Sequence, residues 1–151
     1  MTKIQIIQLK QEILKEIKIN NNKEFSSPDI SGDFFINYIG AYDREVFAVV
    51  RLNVKKQPTY CKICHIGILD QSPIHFRGIF KGAILANSDS IIVAHNHVSG
   101  NLKPSNEDIK VTKTLVEAGN LLGIKVLDHI IVTNSNSLSL KKDNKEYGGI
   151  L

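Results

Sequence analysis

The chain has 151 residues, of which 42% are hydrophobic and 23% charged, a balance that excludes fibrous and disordered classes and fits one folded core. A domain of this length buries most of its surface without disulfides or a structural metal, so the two cysteines need carry no framework. The 19 Lys and Arg against 15 Asp and Glu give a net charge of +4, which permits nucleic-acid contact without demanding it. No apolar run is long enough to span a bilayer, and the N-terminal segment is broken by charges where a secretory signal needs an apolar core. A soluble cytoplasmic protein with reduced thiols and no membrane association is therefore expected.

Residues Lys3 to Ile19 follow neither period, because Ile4, Ile6, Leu9, Ile13 and Ile17 fit no strict alternation and no helical stripe. Ser27-Pro28 opens a short helix through Phe34, Phe35 and Tyr38, closed at Gly40. Glu45 to Asn53 reads as a strand, and after the Lys55–Pro58 turn a second strand runs from Tyr60 to Leu69, forming a hairpin. Ile79, Phe80, Ala83 and Ile84 recur at helical spacing between Arg77 and Ala86. Ser90 to His95 is an almost wholly apolar strand of the kind buried inside a covered sheet. A helix follows from Asn106 to Leu122, with Ile109, Thr112, Val116, Gly119 and Leu122 on one face and Gly123 as its stop, and Ile124 to Val132 returns to strand. Alternating helix and strand predict a sheet covered by helices.

The chemistry concentrates in AHNHVSGNLKPSNED, from Ala94 to Asp108. His95 and His97 are two apart at a strand end, so their imidazoles share a face while Asn96 points away. Asp108 lies eleven positions after His97, beyond a Gly/Pro loop that can fold it back. Two His and one carboxylate leave an open position on a tetrahedral zinc, the arrangement of a catalytic site. Bound water would there become a nucleophile near neutral pH. A carboxylate base is then needed. Glu45, at a strand start, is a candidate that spacing alone does not separate from the other carboxylates.

The string HNHVSGNLKPSNED fits the His-x-His, seven residues, Ser, two residues, Asp pattern of the JAB/MPN zinc metalloprotease superfamily, the JAMM motif once an upstream Glu is added. DREVFAVVRL around Glu45, LVEAGNLLGIKVLDHIIV and SLK at Ser139 to Lys141 resemble the RadC-like branch specifically, over roughly residues 3 to 142. The resemblance implies zinc held by His95, His97 and Asp108, Glu45 as general acid/base, and Ser105 as hydrogen-bond donor to a tetrahedral oxyanion. It implies an α/β fold of three αβα layers with a mixed central sheet, similar to cytidine deaminases, and an N-terminal segment that begins as a strand. It also implies one RadC-like JAB domain over residues 1–151, with a core at about 27–142 and without the helix-hairpin-helix domain of longer relatives.

The sequence departs from the family pattern at Val98, where a Pro is usual, and at His75-Phe76-Arg77-Gly78 in place of His-Pro-Arg-Glu, which removes a carboxylate beside Arg77. Ser105 and Asp108 also fit a helix capping pattern, compatible with the ligand role. Asp128 and His129 face opposite ways, and one of them is a candidate to orient a ligand histidine. His65 and His75 read as structural or surface residues. Cys61 and Cys64 mimic a haem attachment string, but three apart on a strand they face opposite sides and are assigned to packing. The letters His95-Asn96-His97 are not the dispersed HNH nuclease motif, and cytidine deamination is excluded because His-x-Glu and Pro-Cys-x-x-Cys are missing. The expected activity is zinc-dependent hydrolysis of a peptide or isopeptide-linked protein. The alternative is a non-catalytic module weakly associated with DNA, in keeping with the family's DNA-repair designation, although no basic groove helix or aromatic platform is evident.

Overall fold

The computed structural model describes residues 3–19, 24–25, 27–67, 74–143 and 145–151. Helix α1, Pro28–Ile39, starts where the Ser27 side chain accepts from the Ile30 amide and Pro28 occupies the first turn. It stops at Gly40 for a reason other than left-handed backbone. Gly40 is right-handed (φ −62°), but a Cβ there would lie 2.4 Å from the Thr133 carbonyl oxygen.

Strands β1, Val46–Leu52, and β2, Pro58–Ile66, form the expected antiparallel hairpin. The further expected extension of β2 to Leu69 falls on residues outside those described. Helix α2, Phe76–Leu85, follows, then β3, Ser90–Asn96, α3, Asn106–Leu122, and β4, Lys125–Val132. Gly123 closes α3 in the left-handed conformation (φ 70°), as its position suggested. A last short strand, β5, Ser137–Ser139, lies in a polar stretch, Thr133 to Lys145, to which the sequence pattern assigns no element. It exists because it pairs antiparallel with Ile130–Val132.

The sheet order is β2-β1-β3-β4-β5, with β3 and β4 parallel across the α3 crossover and every other pair antiparallel. Alternation along each strand divides the core. Val46, Ala48, Val50, Ile92, Ala94 and Ile130 pack with Phe35 and Ile39 of α1. Phe47, Val49, Ile91 and Val93 pack with Ile79, Phe80 and Ala83 of α2 and Leu115 of α3. This is the three-layer αβα arrangement with a mixed sheet. Each large side chain buried this way contributes about 1.5–3 kcal/mol. Cys61 packs on the α1 face and Cys64 on the other, and burial pushes the Cys64 thiol up to about 11, as suits a packing residue.

The N-terminal segment does not begin as a strand. Residues 3–19 form no helix or strand, and Ile4, Ile6, Leu9 and Ile13 are exposed. Without either period these side chains present no single face for a sheet to bury. One side chain anchors the segment: Gln11 accepts from the buried Arg51 guanidinium at 3.1 Å and donates to the Gly82 carbonyl at 3.1 Å. No helix among the described residues is long and apolar enough to cross a membrane.

Candidate metal centre

β3 ends beside the start of α3, and the two elements bring the sequence-selected residues together. Ser105 caps α3 by accepting from the Asp108 amide at 3.1 Å, while the Ser105 amide and hydroxyl each donate to Asp108 Oδ2 at 2.7 Å. This reciprocal capping box fixes the carboxylate one turn into the helix, where the helix N-terminus also favours its charge. Ser105 therefore holds Asp108 Oδ2 through two hydrogen bonds and leaves Oδ1 free to face His95.

His95 Nε2 stands 3.1 Å from Asp108 Oδ1, His97 Nε2 3.4 Å from Oδ2, and the two Nε2 atoms 2.9 Å from each other. The ligating atoms of His95, His97 and Asp108 all lie within 4.8 Å of one another, and the group could hold a metal ion. His95 and Asp108 are buried and His97 is partly open, so the cluster has a closed floor and an accessible side. The donor set fits a cation: two nitrogens and a carboxylate oxygen converge, and the only protons that could lie between them are those of the rings themselves.

The surrounding charges follow from this packing. Burial works to raise the Asp108 pKa, but the His95 and His97 imidazoles against it prevail and hold it far below the usual carboxylate range. The bond to Asp108 raises the pKa of His97 against the effect of burial, helped by the bond from Nδ1 to the Asn101 carbonyl at 2.6 Å. Burial pushes the His129 imidazole well below its ordinary value, which keeps it neutral.

Glu45 is half-buried just before β1. Phe47 pairs with His95 in the antiparallel register, so two residues earlier Glu45 lies across from His97 on the same face. Its charge helps to raise the His97 pKa. This relation could not be read from sequence, because it depends on which residues of β1 and β3 face each other.

The Asp128/His129 alternative has a clear geometry. His129 Nε2 is 2.8 Å from His95 Nδ1. Asp128 points elsewhere, accepting from the Ser139 hydroxyl at 2.6 Å and the Lys141 amide at 3.1 Å, which ties β5 down. Behind His129, Thr112 Oγ1 lies 2.6 Å from Nδ1. Sequence analysis placed Thr112 only on an α3 face. The i, i+4 spacing from Asp108 was the available signal. His65 and His75 lie outside the cluster: His75 is exposed before α2, and His65 is on β2, with Phe47 of β1 between it and His95. Val98 is exposed in the turn after His97, and a Cβ at position 78 would meet nothing within 4 Å.

A mixed sheet between helices, with a His-x-His strand end facing an aspartate held in a capping box, defines a JAB-type domain with a cluster that could hold a metal ion. Residues 25–146 match the family model of the RadC-like JAB domain, and the chain belongs to that family. It is 43% identical over 125 residues to a UPF0758 protein of Finegoldia magna, covering 83% of this chain and 56% of that protein. It is 45% identical over 121 residues to one of Caldanaerobacter subterraneus subsp. tengcongensis (80% and 52%) and 42% over 124 residues to one of Clostridium beijerinckii (82% and 54%). The chain thus spans about half the length of the curated relatives it matches.

Proposed function

We propose that the chain is a zinc-dependent metallohydrolase acting on a peptide or isopeptide carbonyl, with His95, His97 and Asp108 as the metal ligands. The observation that carries this reading is the convergence of His95 Nε2, His97 Nε2 and the Asp108 carboxylate. Zinc, when bound, lowers the pKa of its water from about 15.7 to roughly 7 and polarises a carbonyl.

The remaining work falls to the protein. Glu45, on the same face as His97, takes a proton from the attacking water and returns it to the leaving amine. Ser105 keeps Asp108 Oδ1 directed at His95 by binding Oδ2 through its amide and hydroxyl. To donate to an oxyanion as well, the hydroxyl releases Oδ2 while the amide bond remains. His97 stays oriented by its 2.6 Å bond to the Asn101 carbonyl.

The test is cleavage of a peptide library and of isopeptide-linked protein conjugates by the zinc-loaded protein, read by mass spectrometry. The wild type cleaves, and Glu45→Gln retains zinc while losing about 10²–10⁴-fold in rate. Undiminished cleavage by Glu45→Gln removes its assigned role. Retention of DNA at low salt without any amide cleavage would replace the reading with that of a DNA-associated module.

A further inference from the structure

Thr112 and His129 are fully buried and neither reaches a metal ligand position, yet both are polar and both lie behind His95. The Thr112 hydroxyl donates to the Asp108 carbonyl at 2.6 Å. A hydroxyl has a single proton, so towards His129 Nδ1, also 2.6 Å away, the Thr112 oxygen can only accept. His129 therefore carries its proton on Nδ1 and offers a lone pair at Nε2. At 2.8 Å that lone pair accepts from His95 Nδ1, which leaves His95 Nε2 unprotonated and facing His97 and Asp108.

We infer that Thr112 and His129 are positioning residues that set the tautomer of His95 for metal binding, through a hydrogen-bond chain from the Asp108 carbonyl to the His95 ring. The inference rests on the metal-site reading proposed above. The two histidines need different solutions because of where they sit. His97 lies past the strand and finds a loop carbonyl, that of Asn101, which can only accept. His95 lies within β3, paired on both sides by β1 and β4, so the backbone carbonyls around it are already committed to the sheet. A carboxylate behind His95 would also take its proton, but it would bury a second negative charge close to Asp108. A neutral histidine backed by a threonine does the same work without that charge.

The bond from Thr112 to the Asp108 carbonyl is what keeps the chain from running in the opposite sense. If Thr112 donated to His129, the proton order would reverse and His95 would present Nε2–H to the site, closed to a metal. In Thr112→Val the His129 Nδ1–H loses its acceptor. A buried N–H without a partner is the costlier orphan, so the proton moves to Nε2, where it donates to His95 Nδ1 and imposes that reversed order on His95.

The test combines zinc affinity, by competition with a chromogenic chelator, and imidazole ¹⁵N–¹H NMR on the wild type, Thr112→Ser and Thr112→Val. The expected result is a His129 proton on Nδ1 in the wild type, near-wild-type affinity in Thr112→Ser, and about 10–100-fold weaker zinc binding in Thr112→Val with the His129 proton moved to Nε2. Equal zinc affinity in folded Thr112→Val and wild type overturns the inference and leaves the metal site intact. Should Thr112→Val fail to fold, a wild-type His129 protonated on Nε2 overturns it by itself. A wild type that takes up no zinc overturns the metal reading first, and the inference with it.

Discussion

Asn96 and His95 are adjacent buried residues at the end of β3, pointing to opposite faces of the sheet, and their surroundings differ in kind. On the α1 face Asn96 is fully engaged with backbone. Its Oδ1 accepts from the Val46 amide at 2.7 Å, and its Nδ2 donates to the carbonyls of Arg44 at 3.0 Å and Tyr42 at 3.4 Å. On the other face the Nε2 atoms of His95 and His97 and the Asp108 carboxylate converge on one another. Buried polarity that pairs donor with acceptor fastens the fold. Buried polarity that gathers atoms able to ligate a metal could hold a cation.

Substitutions on the two faces should separate these roles. The largest effect is expected in His97→Ala, which removes one of three ligands: metal content should fall from about one ion per chain to none, while the partly open position should cost little stability. Asn96→Ala should do the opposite. It leaves the buried Val46 amide without a partner and should cost about 1–3 kcal/mol in denaturant unfolding, with metal stoichiometry kept. If Asn96→Ala lost metal at unchanged stability, the distinction between the faces would collapse.

Ser105→Ala sharpens the comparison, because Ser105 belongs to both kinds of site. Loss of the cap should cost about 1 kcal/mol, and loosening Asp108 should weaken zinc binding as well. The smallest effect lies at the opposite end of β3, where Lys56 Nζ binds Asp89 at 2.6 Å near the surface. That hydrogen bond holds the Asp89 pKa below the usual range. Its stabilisation is thus present above the ordinary carboxylate value and lost as pH falls through the folded one. Lys56→Ala should cost about 0.2–1 kcal/mol near pH 6, with the difference from wild type vanishing in strong acid.

Much of this arrangement was legible in the residues themselves. Helix α3 was bounded correctly because both ends are marked, by Ser105 as cap and by Gly123 as left-handed stop. The His-x-His spacing placed two imidazoles on one face because side chains alternate along any strand. What stayed hidden depends on register or on tertiary pairing. Glu45 meets His97 only through the β1–β3 register, and His129 meets His95 only through the parallel β3–β4 pair. Asn96 could be seen to point away, but its backbone partners lie some fifty positions earlier. β5 carries no signal beyond polarity and is a strand because β4 offers it an edge. The family resemblance implied a strand at the start of the N-terminal segment, but residues 3–19 lack a period and the fold leaves them outside the sheet.

Elemental analysis of the purified wild-type chain after equilibration with zinc tests the central claim most directly. The account predicts about one tightly held zinc per chain. A well-folded protein that retains none would contradict it.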